Sequence, residues 1–269
     1  MVFCTDKGVR YLANLGYNVV RHPYVGLVPT SVIGSGKRGG ETEWLGDLPD
    51  LVKESSATLP APDGPVQAAD VIGKASSAMN FRVGAGALSS FLGALGGVLD
   101  VSAKYTNART IQFLFRDVEK LQVAPAKVAE YVEAGRLRWD SMLFGPYLEG
   151  DGRLLVVTAV LTAKSVTVLY ERTDGVGAKV QVPVLQDLVG AKVSVSASAE
   201  RSHEITYRGD RNVAFGFKCF EFGFQDGSPK LVGVGPGGVF LDLSGEAGGE
   251  GSVVLTTQGE PLLDLHRAS

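Results

Sequence analysis

The chain has 269 residues, of which 45% are hydrophobic and 20% charged, and its net charge is −3. This composition is typical of a globular protein with an ordinary core, and the charge excludes the strongly basic balance of a nucleic-acid-binding domain. The sequence lacks the apolar run of ~20 residues that a membrane helix needs, and it lacks the pattern of a signal peptide. We therefore expect a protein that is cytoplasmic at rest and has no nucleic-acid partner.

The N-terminal part is predicted to contain one helix and one strand before a long loop. The helix begins after Thr5 and ends at Gly16, a residue type that tolerates the left-handed turn after a helix end. A strand covers residues 17–22 and stops before Pro23, which cannot donate a hydrogen bond to a sheet. Residues 34–64 are rich in Gly, Pro, Ser and charge, which favours a loop with a little local structure.

Two further helices are predicted from local signals. Residues 67–77 form a helix behind Pro65, and residues 125–136 form another with Pro125 in its first turn. The buried face of the second helix is predicted from residues at helical spacing: Val128, Tyr131 and Val132.

The most informative pattern is an alternation of apolar and polar residues over four long stretches, because successive side chains of a strand point to opposite faces. The apolar positions of the first two stretches are Met79, Phe81, Val83, Ala85 and Ala87, then Leu99, Val101, Ala103 and Tyr105, continuing with the same parity through Ile111, Phe113 and Phe115. The third stretch, residues 154–170, is apolar on both faces at first and alternates later, as at Val166 and Val168. The fourth has the apolar positions Val193, Val195, Ala197, Ala199, Ile205 and Tyr207, interrupted by Arg201 and His203.

Strands of this length require an explanation. Residues 154–170 exceed both the usual strand of about 5 or 6 residues and the roughly 9–11 residues that cross a bilayer as a tilted strand. Two hairpins with one apolar and one polar face have the pattern of a membrane β-barrel, but a long twisted sheet packed on helices gives the same alternation. Both interpretations predict an α+β fold with a long, mostly antiparallel sheet and peripheral helices.

Catalytic and metal-binding patterns are weak. The histidines, His22, His203 and His266, form no assignable triad with a nucleophile. The glycine-rich segments match neither phosphate-binding nor dinucleotide-binding loops, and the acidic residues show no metal-ligand spacing. Cys219 is expected in the core beside Phe215 and Phe217. We expect no enzymatic activity and no metal.

Seven segments resemble the bacterial gasdermins, in the order and at the spacing of that family. They are residues 11–21 (Tyr-Leu-Ala-Asn-Leu-Gly-Tyr-Asn-Val-Val-Arg), 26–33 (Gly-Leu-Val-Pro-Thr-Ser-Val-Ile), 174–178 (Asp-Gly-Val-Gly-Ala), 180–183 (Val-Gln-Val-Pro), 192–197 (Lys-Val-Ser-Val-Ser-Ala), 207–210 (Tyr-Arg-Gly-Asp) and 213–217 (Val-Ala-Phe-Gly-Phe). The resemblance implies a pore-forming, gasdermin N-terminal-domain-like region in residues 1–244. It also implies a linker and a short C-terminal autoinhibitory peptide in residues 245–269.

The resemblance further implies a function and its partners. A soluble precursor, monomeric at rest, would lose its C-terminal peptide to a protease encoded nearby, assemble into a homo-oligomeric ring and insert β-hairpins into the phospholipids of the inner membrane. The pores would cause cell death in antiphage defence. The family places its membrane-inserting strands at residues 79–115 and 154–207. The inserting residues expected there are Met79, Phe81, Val83, Leu99, Val101, Tyr105, Val166, Val168, Val193, Val195 and Ala197.

Cys4 has two interpretations. A lone thiol near a terminus is more often a small buried hydrophobic residue than a modified site. Bacterial gasdermins, however, resemble one another in an N-terminal cysteine that is palmitoylated, and Cys4 occupies that place. The resemblance therefore implies a covalent palmitoyl group on Cys4. At ~0.8 kcal/mol per buried CH₂, this group could lock the resting fold or anchor the opened one.

The C-terminal residues combine a flexible linker with an apolar end. The expected cleavage region is Leu243, Ser244, Gly245, Glu246, Ala247, Gly248, Gly249, Glu250 and Gly251, because such segments are easily entered by proteases. The expected inhibitory tail is apolar enough to dock on the body and cover strand edges; its residues are Val253, Val254, Leu255, Leu262, Leu263 and Leu265. A frayed terminus is the alternative, although frayed ends seldom carry so many Leu and Val.

The charges of the tail bear on the cut and on its consequence. Between Lys230 and Arg267 the sequence has no Lys or Arg, which excludes a trypsin-like cut in the linker, whereas Asp242 suits a caspase-like enzyme and Leu243 or Ala247 an elastase-like one. Residues 245–269 hold four acidic residues and one basic residue, a net of −3, so the remainder of the chain nets to zero. Removing the tail therefore eases approach to an anionic membrane.

A non-enzymatic β-rich binding module with a self-docking tail is the alternative function, and it predicts short, fully packed hairpins.

Overall fold

The computed structural model describes residues 7–24, 26–36, 42–68, 78–84, 108–172, 193–196, 204–225, 228–234, 240–242, 262–263 and 265–267. The strands in these residues are β1 (Asn18–Tyr24), β2 (Ser31–Gly36), β3 (Thr42–Asp47), β4 (Val52–Lys53), β5 (Val66–Gln67), β6 (Ala78–Gly84), β7 (Ala108–Gln122), β8 (Arg136–Leu137), β9 (Gly152–Arg172), β10 (Val193–Ser196), β11 (Glu204–Gln225), β12 (Ser228–Val234), β13 (Phe240–Asp242), β14 (Leu262–Leu263) and β15 (Leu265–Arg267). The helices are α1 (Lys7–Asn14), α2 (Leu48–Leu51), α3 (Pro125–Glu133) and α4 (Gly145–Leu148).

Thirteen of the described strands form one sheet, whose centre is the antiparallel pair β9 and β11. β9 has 21 residues and β11 has 22. One edge of β9 pairs with β2 near its start and with β7 along the rest, while the outer edge of β11 pairs with β10, β1 and β12 in turn. Within the described part of the chain, only β14 and β15 pair in parallel. The predicted long, mostly antiparallel sheet with peripheral helices is confirmed.

The first half of β9 is buried on both faces and separates two apolar clusters. Leu154 and Val156 lie in the helix-side core, whose buried residues include Leu48, Leu51, Val128, Val132, Phe220 and Phe222. Leu155 and Val157 lie in the sheet-side core, which consists of Val20, Leu27, Ile33, Leu155, Val157, Val160, Ala214, Phe217 and Cys219, with Trp44 packed against it. A strand covered on both faces needs apolar side chains on both, which explains the continuous apolar run in this part of the sequence.

The structure confirms two of the helices predicted from sequence. α1 ends at Asn14, and Gly16 has a φ of 79°, while the Tyr17 N–H donates to the Leu12 carbonyl at 2.9 Å and so closes the helix end. α3 begins at Pro125, as predicted, and its three expected core residues are buried: Val128, Tyr131 and Val132.

The helix predicted at residues 67–77 is wrong at its start. Val66 and Gln67 form β5, which pairs with Lys120 and Glu119 of β7. Pairing with a long strand elsewhere in the chain overrides the local preference for a helix after Pro65. Residues 69–77 lie outside the described residues.

The loop with a little local structure predicted at residues 34–64 holds more regular structure than expected, as far as Lys53. β2 continues to Gly36, and β3, α2 and β4 follow from Thr42 to Lys53. β3 lies between β2 and β15 in the sheet, so its partners on both sides satisfy a backbone whose Gly-rich and charged flanks suggested a loop. Residues 55–64 contain no helix or strand.

β1 runs through Pro23, where the sequence predicted its end. The pairing of β1 with β11 is irregular between Val19, opposite Gly216, and Tyr24, opposite Ala214. Proline lacks an N–H donor and is tolerated at such irregularities. The strand therefore continues past a residue that normally stops one.

The alternating residues 193–207 do not form one strand. Val193–Ser196 of β10 pair antiparallel with residues 206–209 of β11, so the chain reverses direction between Ser196 and Glu204. The partner of β9 is β11, which starts at Glu204 and extends to Gln225. Alternation over residues 193–207 identified strands correctly, but it cannot reveal a reversal that keeps the same parity on both sides.

Candidate functional site

The two C-terminal strands lie on the edges of two different strands of the body. Leu262 and Leu263 of β14 pair in parallel with Val19 and Val20 of β1. β15, which starts one residue after β14, pairs in parallel with Thr42–Trp44 of β3. A single short segment thus joins the outer edges of β1 and β3.

These edges border the sheet-side core. β1 contributes Val20 to this core, and Trp44 of β3 packs against it. The buried Asn18 of β1 donates from Nδ2 to the Phe217 carbonyl at 3.5 Å and to the Cys219 Sγ at 3.6 Å. The strands that meet the C-terminal segment are therefore the same strands that enclose the apolar interior of the sheet.

Cys219 lies fully inside this core, as predicted from its alternation with Phe215 and Phe217. Burial raises the pKa of its thiol to about 12, and the neighbouring Arg153 and the Asn18 hydrogen bond oppose the shift only in part. The thiol is neutral at ordinary pH and serves as packing.

Other predicted site residues lie outside the described residues. These are Cys4, the linker residues 243–251, the tail residues Val253, Val254 and Leu255, and the hairpin positions Leu99, Val101, Tyr105 and Ala197. The remaining hairpin positions fall on β6, β7, β9, β10 and β11.

The register of these five strands brings the predicted apolar positions into rows across the sheet. One row is Met79, Phe115, Val166, Tyr207 and Val195; the next is Phe81, Phe113, Val168 and Ile205; the third is Val83, Ile111 and Tyr170. Residues paired directly across antiparallel strands share a face of the sheet. These positions therefore lie on one face, although they come from five separate strands.

The intervening rows hold mostly polar positions. One contains Asn80, Leu114, Thr167, Thr206 and Ser196, and another contains Arg82, Gln112, Leu169 and Glu204. Leu114 and Leu169 are the apolar exceptions. This half of the sheet thus has one apolar face and one mostly polar face, whereas the part of β9 from Leu154 to Ala163 is buried on both faces.

A polar cluster crosses the sheet where the two halves meet, and the sequence prediction missed it. The Glu119 carboxylate of β7 lies 2.7 Å from the Lys164 amine of β9 and accepts a hydrogen bond from the Asn212 amide of β11 at 2.8 Å. Asn212 also lies 3.4 Å from the Thr162 hydroxyl. The signal was present in β7, where the apolar positions at 111, 113 and 115 are followed by Asp117 and Glu119 at the same parity.

The described residues show neither a membrane helix nor a metal site. None of their helices is both long and apolar enough to cross a membrane. Across the same ranges, His, Cys, Asp and Glu side chains form no group of three that could hold a metal ion.

Comparisons with known proteins agree with this architecture. The model of the Bacterial Gasdermin Family matches residues 20–228. Gasdermin bGSDM of Vitiosangium sp. (strain GDMCC 1.1324) is 34% identical over 267 residues, covering 98% of this chain and 99% of the relative. Gasdermin bGSDM of a Desulfuromonadales bacterium is 28% identical, with coverages of 98% and 99%.

A solved structure shares the fold. The bacterial gasdermin from Bradyrhizobium tropiciagri superposes with a TM-score of 0.55 at 16% identity, covering 98% of each chain. The match of the family model over most of the chain, together with a relative of 34% identity along its whole length, shows that the chain belongs to the bacterial gasdermin family.

Proposed function

We propose that this protein is an autoinhibited precursor of a membrane pore. The observation that carries the proposal is the alignment of apolar positions in rows across β6, β7, β9, β11 and β10. A sheet with one apolar and one polar face suits a pore wall, with lipid on one side and water on the other. The hairpins of several copies would complete the wall, because a sheet edge facing lipid leaves backbone groups unsatisfied.

The C-terminal peptide is the proposed inhibitor. Its strands occupy the outer edges of β1 and β3, and unoccupied strand edges are templates for pairing with another chain. Removing the peptide would free both edges and open the border of the sheet-side core at Val20 and Trp44. Both changes favour a rearranged sheet and assembly into a homo-oligomeric ring.

Strand length favours this proposal over a binding module with a self-docking tail. The binding module predicts short hairpins that are packed along their whole length. β9 and β11 instead have 21 and 22 residues, and β9 continues for nine residues, 164–172, after Ala163, where the part that is buried on both faces ends. This extension is the part that alternates.

The family supports the proposed activation, membrane and biological role. A protease encoded nearby would cut between Leu243 and Val253, and loss of the acidic tail would ease approach to the anionic inner membrane. The pores would kill the host cell in antiphage defence. No catalytic activity is part of this proposal.

A palmitoyl group on Cys4 completes the proposal. The acyl chain would add a large apolar group to the N-terminus, either inside the resting fold or in the membrane. Intact-mass measurement of protein purified from its native host tests this point, and an unmodified mass removes Cys4 from the mechanism.

Controlled removal of the tail tests the function. A recognition site for a sequence-specific protease is placed within residues 245–251, and the cut protein is added to anionic liposomes that hold a dye. We expect cut protein to release the dye and uncut protein to retain it. Amide hydrogen exchange of residues 19–20 and 42–44 should become faster after the cut, because these backbone groups lose their parallel partners.

The control is the wild-type chain, which lacks the inserted site, treated with the same protease. Complete removal of the tail without dye release would contradict the pore proposal and favour the binding module. Dye release by uncut protein would show that the peptide is not an inhibitor.

A further inference from the structure

The junction between the two halves of the sheet carries an offset in register. Arg208 of β11 pairs with Ser165 of β9, and Val213 pairs with Ala163. Four residues of β11, 209–212, therefore lie opposite Lys164 alone. On the other side of Lys164, Asp117 of β7 has a φ of 52°, in the left-handed region that is strained for a residue with a side chain. Both strands that flank β9 are thus irregular beside Lys164.

The offset decides which residues of β11 share a face with the apolar residues of β9. In the observed register Tyr207 lies opposite Val166 and Ile205 opposite Val168. If the pairing of Val213 with Ala163 continued without extra residues, Tyr207 would lie opposite Leu169 and Ile205 opposite Glu171. An odd shift in register moves every side chain to the other face, so the apolar positions of β11 would join the mostly polar face.

The polar cluster of Glu119, Lys164 and Asn212 lies at one end of the four extra residues of β11. Asn212 is the last of the extra residues, and its amide reaches Glu119 of β7 at 2.8 Å and Thr162 of β9 at 3.4 Å. The Glu119 side chain is only 19% exposed, and its other carboxylate oxygen lies 2.7 Å from the Lys164 amine. The hydrogen bond and charge of Glu119 raise the pKa of that amine, with a smaller contribution from Asp117. One carboxylate therefore links all three long strands at the junction.

We propose that Glu119 is a positioning residue which, through Lys164 and Asn212, fixes the register of β11 and so the face on which its apolar residues enter the membrane. This inference rests on the proposed function and assigns a part of it to Glu119 and Asn212, which lie outside the hairpins. Charge-assisted hydrogen bonds to a carboxylate as little exposed as that of Glu119 are stronger than neutral ones, while solvent screens the part of the interaction that comes from the Lys164 amine, which is 56% exposed. Without them the extra residues are free to migrate along β11, and registers that expose polar residues to lipid become populated.

The test compares Glu119→Ala with Glu221→Ala. Glu221 forms the matched pair with Arg153, whose Nε and Nη2 donate to it at 3.0 and 2.8 Å, and this pair also joins β9 and β11 but lies in the body. Glu119→Gln is the conservative variant, because it keeps an oxygen that can accept from Asn212 and loses the charge. All variants carry the engineered cleavage site in the linker.

The first measurement is amide exchange of intact protein without membranes. We expect exchange of residues 204–208 to be about tenfold faster in Glu119→Ala than in Glu221→Ala, a factor equal to ~1.4 kcal/mol, with Glu119→Gln between them. Equal exchange in the two alanine variants overturns the inference, whatever the protein does at a membrane.

The second measurement is the rate of dye release per cleaved molecule. Glu119→Ala should release dye about tenfold more slowly than Glu221→Ala, and Glu119→Gln should recover part of the rate. If Glu119→Ala matches Glu221→Ala while wild type is active, the inference fails and the pore proposal stands. If cut wild type releases no dye, the pore proposal fails, and the exchange measurement still decides whether Glu119 fixes the register.

Discussion

The two halves of β9 differ in the pattern of their residues and in the rows that these residues join. From Leu154 to Ala163 both faces are buried, with the helix-side core on one face and the sheet-side core on the other. From Ser165 to Arg172 the strand pairs with β7, and as far as Leu169 it also pairs with β11; its positions alternate between apolar and mostly polar rows. The same strand thus serves a packed body and a one-sided hairpin.

This difference shows what an apolar pattern in a sequence reports. A continuous apolar run indicates a strand covered on both faces, and an alternating run indicates a strand covered on one. The change from one pattern to the other falls at Lys164, whose amine contacts Glu119, the carboxylate that also accepts from Asn212. The pattern therefore marks the boundary between the halves before any contact is known.

The largest effect is expected in the body half. Phe217 is fully buried in the sheet-side core, so Phe217→Ala should lower the free energy of unfolding of the intact protein by ~3–5 kcal/mol. Urea denaturation measures this loss. Leu59→Ala is the control, because Leu59 is 42% exposed and its removal should change stability by less than ~0.5 kcal/mol. Similar losses for both variants would contradict the description of the core.

An intermediate effect is expected in the hairpin half, and it should depend on the face. Val168 lies in an apolar row and its neighbour Thr167 in a polar row. An arginine facing lipid near the bilayer midplane costs ~2–4 kcal/mol, so Val168→Arg should reduce dye release after tail removal by about tenfold or more. Thr167→Arg places the same charge on the water side and should retain release. Equal loss in both variants would refute the assignment of faces.

Ionisation of the Cys219 thiol is expected to have the smallest effect, because the thiol is neutral at neutral pH. Its pKa is raised to about 12 in the fold from an ordinary value of 9.0, so the neutral thiol is favoured by folding. This contribution is complete below pH 9 and is lost as pH rises from 9 toward 12, where the unfolded chain ionises first. In a Cys4→Ser variant, iodoacetamide at pH 8 should label Cys219 in urea but not in the native protein. Rapid native labelling would show that the thiol is accessible.

Predictions from local signals succeeded where local chemistry decides the structure. Pro125 and the spacing of Val128, Tyr131 and Val132 predicted α3 and its buried face, and Gly16 predicted the end of α1. They failed at β3 and β5, because partners distant in sequence stabilise these strands. β3 pairs with β15, more than 200 positions away, and no local pattern contains that partner.

The candidate site shows the same division. Alternation identified the hairpin positions Met79, Phe81, Val83, Val166 and Val168 as members of amphipathic strands. It could not tell that residues 193–207 reverse direction, because the parity of Val193 and Val195 continues through Ile205 and Tyr207. The change from apolar to acidic residues at Asp117 and Glu119 was visible in β7. The sequence could not show that Glu119 meets Lys164 and Asn212, because three single polar residues on separate strands have no shared pattern.

The sequence by itself determined that this chain forms long amphipathic strands and ends in an apolar, net acidic tail, because alternation, burial and charge are properties of neighbouring residues. Only the tertiary structure decided how these parts meet. It aligned the apolar rows of β6, β7, β9, β11 and β10, and it brought β14 and β15 to the edges of β1 and β3. The physical reason is that strand pairing depends on backbone hydrogen bonds. Every residue type supplies the carbonyl acceptor and every type except proline supplies the N–H donor, so pairing leaves little trace in the sequence.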